Sequence, residues 1–277
     1  MRQAVIVTAI RSPVGRAHKG MLKDTRPDDL AAMMLKTAIE RTPGLVADDV
    51  NDVLLGNAHP EGEAGYNFAR IAVHIAGLPD SIAAATVNRF CASGLQTISQ
   101  GAQAVMTGMS DIVLAGGSDC TSRVPMGGHS IKLTFNPALA KRYPAAYHSM
   151  GQTAEAVARR FGIGRLEQDS FALRSHEKAL AARAAGKFDN HVIPIHTTVK
   201  DEEGNNHAVT VSQDEGPRAS TLEKLATLKT VFAEDEAATV TAGNSSPLND
   251  GAAITVIMSE DEAKARGLKP PRAMCNR

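Results

Sequence analysis

Apolar runs alternate with amphipathic segments along the first part of the chain. The apolar, partly β-branched runs predict buried strands, and the segments with helical spacing predict helices between them. One such helix begins at Arg26-Pro27-Asp28-Asp29, where proline suits the first turn and two acids face the positive end of the helix dipole, and it ends at Pro43-Gly44. The predicted strands are residues 4–9, 52–58, 82–90 and 111–117. Strands separated by helices indicate a mostly parallel sheet with helices on its faces.

The residue composition and the predicted elements change after residue 117. Two Ala-, Arg- and Glu-rich helical periods fill residues 151–186, a hairpin is predicted at 191–212 and a short helix at Thr221–Leu228. Strand character returns at 238–243 and at 253–259. We therefore predict one α/β domain made of residues 1–117 and 244–270, an inserted domain at 118–243, and a tail at 271–277.

The composition argues against several classes of partner and site. The chain has 277 residues, with 30 Lys plus Arg against 30 Asp plus Glu, so no net field attracts nucleic acid or an anionic membrane. Its three cysteines are scattered without a CxxC, which predicts neither a disulfide framework nor a metal site. The first apolar run is too short for a signal peptide or a membrane span, so we expect a cytoplasmic protein without a membrane-spanning segment.

Cys91 stands where the third predicted strand gives way to an uncharged helical stretch. Unpaired amides and the dipole at a helix start favour a thiolate there, and Leu95, Ile98, Ala102 and Val105 have the spacing to bury one helix face. The lack of charge predicts a helix enclosed on most sides, a rigid mount for a nucleophile. Position alone leaves the alternative open that Cys91 is a small core residue.

The motifs around Cys91 and along the chain resemble those of the thiolase family. The segment around the cysteine resembles the family's nucleophile motif, Asn-x-x-Cys-(Ser/Ala/Gly)-Ser-Gly-Leu. Other segments match in order, with Asp119 for the usual Glu and Cys120 for the usual Met. The matching segments are "VIVTAIRSPVGRAHKG", "GNAHPEGEAGYNFARIAVHIAGLP", "VNRFCASGLQTI", "AGGSDCTSRVP", "SMGQTAEAVA" and "VTAGNSSPLNDGAA".

The resemblance implies a layered α-β-α fold with a mixed, mostly parallel five-stranded sheet and a helical loop-domain insertion. It also implies acyl transfer: cleavage of 3-ketoacyl-CoA by coenzyme A, or the reverse condensation of acetyl-CoA, through an acyl group on Cys91. Carried over from the family's motifs, Arg218 is expected near the adenine nucleotide, Ser246 on the pantetheine arm, Met150 in the acyl pocket and Phe232 over the pantetheine or adenine. Coenzyme A is then a substrate, with no permanently bound cofactor and no metal.

Taken without the motifs, each of these four residues has an ordinary structural role. Arg218 then belongs to an exposed loop and Ser246 to a turn, while Met150 and Phe232 are core residues. Ser149 stands where many biosynthetic short-chain thiolases carry His, which favours the broad-range 3-ketoacyl group.

The chain departs from the family in its second half. It contains no Gly-His-Pro, no Asn-Glu-Ala-Phe and no Cys-x-Gly, the motifs that carry the remaining catalytic groups, and Cys275 is assigned none of their roles. We expect the C-terminal thiolase domain to be absent and activity to be impaired, or to depend on a second thiolase-like chain. The family also implies a homodimer or tetramer, with Val87–Phe90 near the contact.

Two other functions stay open. One is a non-catalytic CoA- or acyl-binding module or pseudoenzyme, and the other is an unrelated cysteine hydrolase.

Overall fold

The computed structural model describes residues 2–269 and 272–273, which divide into two compact units. The first unit comprises the described residues of Met1–His129, Asp189–Asp214 and Asn249–Arg277, and the second comprises Ser130–Phe188 and Glu215–Leu248. The prediction put residues 118–129 and 189–214 in the insertion. They lie in the first unit because β-pairing and ion pairs, such as that of Arg11 with Asp214, hold them there.

A seven-stranded mixed sheet forms the middle of the first unit, in the order β4-β3-β5-β8-β1-β9, with β2 paired to β8. A separate hairpin, β6-β7, confirms the one predicted at 191–212. The strands are β1 (Ala4–Arg11), β2 (Gly15–Arg16), β3 (Asp52–Gly56), β4 (Ala83–Val87), β5 (Ile112–Cys120), β6 (Ile195–Lys200), β7 (Asn206–Val211), β8 (Asn249–Ser259) and β9 (Arg272–Ala273).

The α/β class and the mixed sheet are confirmed, but parallel pairing does not dominate. β3 pairs in parallel with β4 and β5, whereas β8 is antiparallel to β5, β1 and β2, and β9 is antiparallel to β1. The reason is that β8, the strand that re-enters the sheet after the inserted segment, runs against both of its long neighbours. Five of the six predicted strand segments correspond to the five long strands of the sheet, and β2 and β9 add two residues each.

The strand predicted at residues 238–243 is wrong. This segment has one isolated bridge, Thr230 to Thr241, and four of its backbone amides donate to side chains. The Glu155 carboxylate accepts from the amides of Thr239, at 3.1 Å, and Val240, at 2.8 Å. The amides that a β-ladder needs are therefore bound to a carboxylate.

Helices cover both faces of the sheet. α1 and α2 contribute to the larger core cluster on one face, and α3 packs with the smaller cluster on the other. Along β5 the two clusters alternate, with Ile112 and Leu114 in one and Val113 and Ala115 in the other, as the period of a strand requires. The helices are α1 (Pro27–Glu40), α2 (Phe68–Ile75), α3 (Ser93–Thr107), α4 (Ile131–Thr134), α5 (Pro137–Arg142), α6 (Met150–Phe161), α7 (Arg165–Ala184), α8 (Leu222–Ala226) and α9 (Glu260–Ala265).

In the described part of the chain, no helix combines the length and apolar character needed to cross a membrane.

Two glycines allow close backbone packing beside the cysteine, Gly56 between β3 and α3 and Gly117 between β5 and β3. A Cβ added at Gly56, the last residue of β3, would stand 2.6 Å from the Ser93 carbonyl carbon and 2.7 Å from the Gly94 nitrogen. A Cβ at Gly117 of β5 would stand 2.5 Å from the Gly56 oxygen. Because backbone atoms occupy this space, only glycine fits at either position without a shift of the chain.

We predict that Gly56→Ala destabilises the protein by about 1–3 kcal/mol, since the first turn of α3 must move to admit the methyl group. Urea unfolding would measure the loss. Gly94→Ala is the matched control, because a Cβ at Gly94 meets nothing within 4 Å and should cost no stability. Equal stability of the two variants would contradict this packing.

Candidate active site

A sharp backbone turn joins β4 to α3 and carries Cys91. β4 ends at Val87, three residues earlier than predicted, because Phe90 adopts a left-handed conformation with φ of 47°. Such a φ is a strained conformation for a bulky residue and persists only where neighbours hold it. We call residues 88–93 the cysteine elbow.

Hydrogen bonds from two side chains hold the cysteine elbow. Asn88 Oδ1 accepts from the Phe90 amide at 2.8 Å. Ser93 Oγ accepts from the Arg89 amide at 2.8 Å and donates to the Phe90 carbonyl at 2.6 Å. The strained residue is thus bound at both its N–H and its C=O, directly before Cys91.

Cys91 is exposed and lines a cavity of about 450 Å³ in the first unit. α3 begins at Ser93 with Ala92 as its N-cap, so the sulfur lies just outside the first helical turn, where the amide dipoles favour negative charge. The cavity is lined by residues of the cysteine elbow, by glycines of β3 and β5, by the Arg11-Ser12 turn and by the start of β8. An accessible sulfur at this place excludes the alternative that Cys91 is a core residue.

The buried face of α3 agrees with the prediction only in part. Ala102 and Val105 are buried as predicted, but Leu95 is 71% exposed and Ile98 only partly buried. Ser93, Thr97 and Gly101 are also buried against the sheet. Thr97 Oγ1 donates to the Gly116 carbonyl at 2.7 Å, so small polar side chains bring the helix onto the strand ends. The face that carries Leu95 is open to solvent, and the prediction of a helix enclosed on most sides is wrong for this chain.

A half-buried carboxyl, Asp119, lines the same cavity as Cys91. Asp119 Oδ1 accepts from the Ala58 amide at 3.1 Å and from Asn57 Nδ2 at 3.2 Å. Burial raises the pKa of this carboxyl to about 6, and the Ala58 amide opposes the rise. Asp119 is therefore ionised at neutral pH at a cost that its two neutral donors offset only in part.

The second described cysteine has the opposite environment. Cys120 is 2% exposed, and burial raises the pKa of its thiol well above the ordinary value, with Asp250 and Asp119 raising it further. A buried, protonated thiol is a poor nucleophile. Of the cysteines in the described chain, Cys91 alone is available for chemistry; Cys275 lies outside the described residues.

Arg11 brings a cation to the cavity wall. Its guanidinium forms a bidentate pair with Asp214, at 2.7 and 2.8 Å, and Asp214 also accepts from the Val14 amide at 2.9 Å. This pairing links the turn after β1 to the residues that follow the β6-β7 hairpin. The wall is therefore anchored at a fixed position beside the cavity.

The four residues expected to contact coenzyme A all belong to the second unit. Met150 opens α6 and is 62% exposed. Phe232 packs on Gly151, the residue after Met150, where an added Cβ would lie 2.1 Å from the ring. Arg218 is exposed and its amide donates to His176 Nδ1 at 3.4 Å, while the exposed Ser246 hydroxyl donates to the Pro247 carbonyl at 3.1 Å.

Sequence reasoning missed most of the groups that shape this site. It treated Asp119 only as a variation in a motif and assigned no role to Asn88 or Ser93. The signal available for Asp119 was the polar pair Ser118-Asp119, which ends an otherwise apolar strand. In the part of the chain that the structure describes, no three His, Cys, Asp or Glu side chains form a group fit to hold a metal ion.

We predict that Asp119→Asn becomes more stable relative to the unsubstituted protein as pH rises from 4 to 7.5. Asp119 has a raised folded-state pKa, so the folded protein binds the proton more tightly and loses stability as pH rises through about 6. Asparagine removes this loss, which amounts to at most about 3 kcal/mol. Urea unfolding across this pH range measures the difference, and a constant difference would contradict the raised pKa.

Comparison with known proteins places these features in one family. The thiolase N-terminal domain family matches residues 4–261. The chain is 45% identical to the 3-ketoacyl-CoA thiolase of Bacillus subtilis (strain 168), over 98% of this chain and 69% of that protein. It is 42% identical to the 3-ketoacyl-CoA thiolase of Shewanella loihica, over 99% of this chain and 68% of that protein.

A solved structure agrees with the sequence matches. The crystal structure of the Bacillus anthracis acetyl-CoA acetyltransferase superposes with a TM-score of 0.83 at 39% identity, covering 98% of this chain and 68% of that one. With its mixed α/β sheet and its exposed elbow cysteine, the chain belongs to the thiolase family of acyltransferases, matching that family's N-terminal domain.

Proposed function

We propose that this chain carries acyl groups between coenzyme A thioesters, with Cys91 as the acyl acceptor. The observation that carries the proposal is the accessible Cys91 sulfur, held on a strained elbow at the start of α3 and facing a cavity of about 450 Å³. The names of the relatives, 3-ketoacyl-CoA thiolase and acetyl-CoA acetyltransferase, support this substrate class.

The proposed reaction has two steps. In the first, the Cys91 thiolate adds to the 3-keto carbon of a 3-ketoacyl-CoA, and the bond between the α and β carbons breaks. Its electron pair stays on the acetyl-CoA fragment, which takes up a proton and leaves, while the shortened acyl group remains on sulfur. In the second, the thiol of free coenzyme A attacks the acyl-sulfur carbonyl, releases acyl-CoA and returns the proton and the thiolate.

The second unit is the proposed carrier of the coenzyme A contacts. Met150 and Phe232, which packs on the adjacent Gly151, are both exposed and give apolar surface that an acyl or pantetheine chain needs. Arg218, exposed and cationic, suits the phosphate groups of the nucleotide end, and Ser246 suits a hydrogen bond to the pantetheine amides. Residues 130–188 and 215–248 are accordingly proposed as the working part of the inserted loop domain.

The cavity limits what the chain does alone. Among the described residues that line it, none is a histidine, and the titratable groups are Arg11, Asp119, Asp250 and Cys91 itself. The chain also lacks the family's Gly-His-Pro and Cys-x-Gly motifs. General acid–base catalysis contributes about 10²–10⁴-fold to such reactions, so we propose that acylation of Cys91 occurs but that steady turnover is impaired by several powers of ten.

We predict a covalent acyl adduct on Cys91 after incubation with acetyl-CoA or a 3-ketoacyl-CoA. Intact-protein and peptide mass spectrometry in a Cys275→Ser background would locate it. Cys91→Ser should abolish the adduct, because the thiolate is lost, and Cys120→Ala is the matched control that should retain it, because that thiol is buried.

The possible results separate the competing functions. Coenzyme A binding without any adduct would favour a non-catalytic binding module, and turnover of substrates that lack coenzyme A would favour a cysteine hydrolase. Normal steady-state cleavage of acetoacetyl-CoA by the 277-residue chain would contradict the proposed impairment.

The outer edge of β4 is the proposed contact of a homodimer. β4 ends the described strand order, so its outer edge has no strand partner in the described chain. Its sequence, Ala83–Val87, carries no charge, and Ala83 and Ala85 are exposed. Uncharged edges with unpaired backbone groups favour pairing with a second strand, and an edge of one copy can meet the same edge of another.

We predict that Ala85→Lys shifts the protein toward the monomer, because a cation on this edge would face its own symmetry copy. Light scattering coupled to size-exclusion chromatography measures the mass. Lys269→Glu, a charge change outside β4, is the control that should leave the mass unchanged. A monomeric unsubstituted protein would refute the proposed contact.

A further inference from the structure

Phe90, which precedes the nucleophile, is connected to the wall of the cavity by three successive hydrogen bonds. Asp119 Oδ1 accepts from the Ala58 amide at 3.1 Å. The Ala58 carbonyl accepts from Asn88 Nδ2 at 3.2 Å, and Asn88 Oδ1 accepts from the Phe90 amide at 2.8 Å. The series runs from the end of β5, through the turn after β3, to the residue before Cys91.

The turn after β3 is held mainly by hydrogen bonds to Ser118 and Asp119 at the end of β5. Asn57 Nδ2 donates to the Ser118 carbonyl at 2.8 Å and to Asp119 Oδ1 at 3.2 Å. The backbone N–H of Asn57 donates to the Val87 carbonyl at 3.1 Å. Both donors from this turn meet at Oδ1 of the carboxylate, and the Ala58 amide also donates to Oδ2 at 3.4 Å. Removal of the carboxylate therefore leaves the Ala58 amide without its acceptor and frees the peptide whose carbonyl orients Asn88.

Asp119 lowers the stability of the folded protein at neutral pH. A half-buried carboxylate with two neutral donors lowers stability at neutral pH, and an apolar or amide side chain at the end of β5 would avoid this. A residue that costs stability while it lines the nucleophile's cavity is typical of a functional site. Its contacts, however, lead to the backbone of the elbow.

The geometry points to Asp119 as a positioning residue for the acyl transfer proposed above: through Ala58 and Asn88 it holds Phe90 in its left-handed conformation and so aims the Cys91 sulfur. The inference rests on the proposed function for its activity test only. The need is for an acceptor oxygen at this place, since the shorter contacts are donations to Oδ1 and only the Ala58 amide also reaches Oδ2, at 3.4 Å. A small misplacement of a reacting atom costs up to about 100-fold in rate, which sets the scale of the expected effect.

Two variants of Asp119 separate acceptor from charge. Asp119→Ala removes the acceptor and should slow acylation of Cys91 by about 10- to 100-fold. Asp119→Asn keeps an oxygen where Oδ1 stands and should acylate within about threefold of the unsubstituted rate. Glu63→Ala is the matched control: it removes another carboxylate of the first unit, one that pairs with Arg123 and Arg26, and should not change acylation. Thermal melting checks that each variant is folded.

Amide hydrogen exchange at Ala58 and Phe90 measures whether Asp119 holds the elbow, and it needs no substrate. In Asp119→Ala, the amides of Ala58 and Phe90 should both exchange faster, and in Asp119→Asn neither should change. Asn88→Ala breaks the series one step later, so Phe90 should exchange faster while Ala58 stays protected. Asn88 is exposed, so this variant tests the inference even where Asp119→Ala does not fold.

The outcomes distinguish a failure of the proposed acyl transfer from a failure of the positioning role of Asp119. If the unsubstituted protein forms no adduct, the proposed function fails, and the exchange of Ala58 and Phe90 still decides whether Asp119 positions the elbow. If the protein acylates and Asp119→Ala acylates equally fast, the positioning role is overturned. If Asp119→Asn is as slow as Asp119→Ala, the charge and not the acceptor is needed, which also overturns it.

Discussion

The close approach of the first turn of α3 to Gly56 at the end of β3, and of β3 to Gly117 of β5, is the constraint on which the site depends. Gly56 has the Ser93 and Gly94 backbone where a side chain would be, and Gly117 has the Gly56 carbonyl. Because the helix lies directly on the strand ends, the chain must turn sharply between β4 and α3. Phe90 takes up that turn with a left-handed backbone, and Cys91, the next residue, is left exposed outside the helix.

Polar contacts convert this packing constraint into a chemical site. Asn88 accepts from the Phe90 N–H, and Ser93 donates to the Phe90 carbonyl. Hydrogen bonds rather than burial therefore hold the strained backbone, since the Phe90 side chain is 67% exposed. The two described thiols show how much environment decides reactivity: Cys120, on β5, is sealed beside two carboxylates, whereas Cys91 meets the cavity. The first unit thus carries a buried thiol and an accessible one.

Much of the fold was predictable, because its signals are local. Apolar runs predicted the five long strands, and a change of composition indicated an inserted segment, although the second unit begins at Ser130 and not at residue 118. What failed needs contacts between distant residues. The Glu155 carboxylate takes the amides near Val240 and prevents the strand predicted there. Leu95 has the spacing of a core residue yet is exposed, because Ser93, Thr97 and Gly101 bring the helix closer to the sheet on another face. Cys91 was found from its motif, but the role of Asp119 depends on Ala58 and Asn88, far away in sequence.

The most direct measurement of the central claim, that the fold presents one reactive sulfur and seals the other, is the alkylation of the native protein by iodoacetamide, with Cys91 and Cys120 followed separately by peptide mass spectrometry. The account predicts that Cys91 is modified to completion while Cys120 stays unmodified until the protein is unfolded in urea. Similar rates for the two thiols, or an unreactive Cys91 in the folded protein, would contradict it.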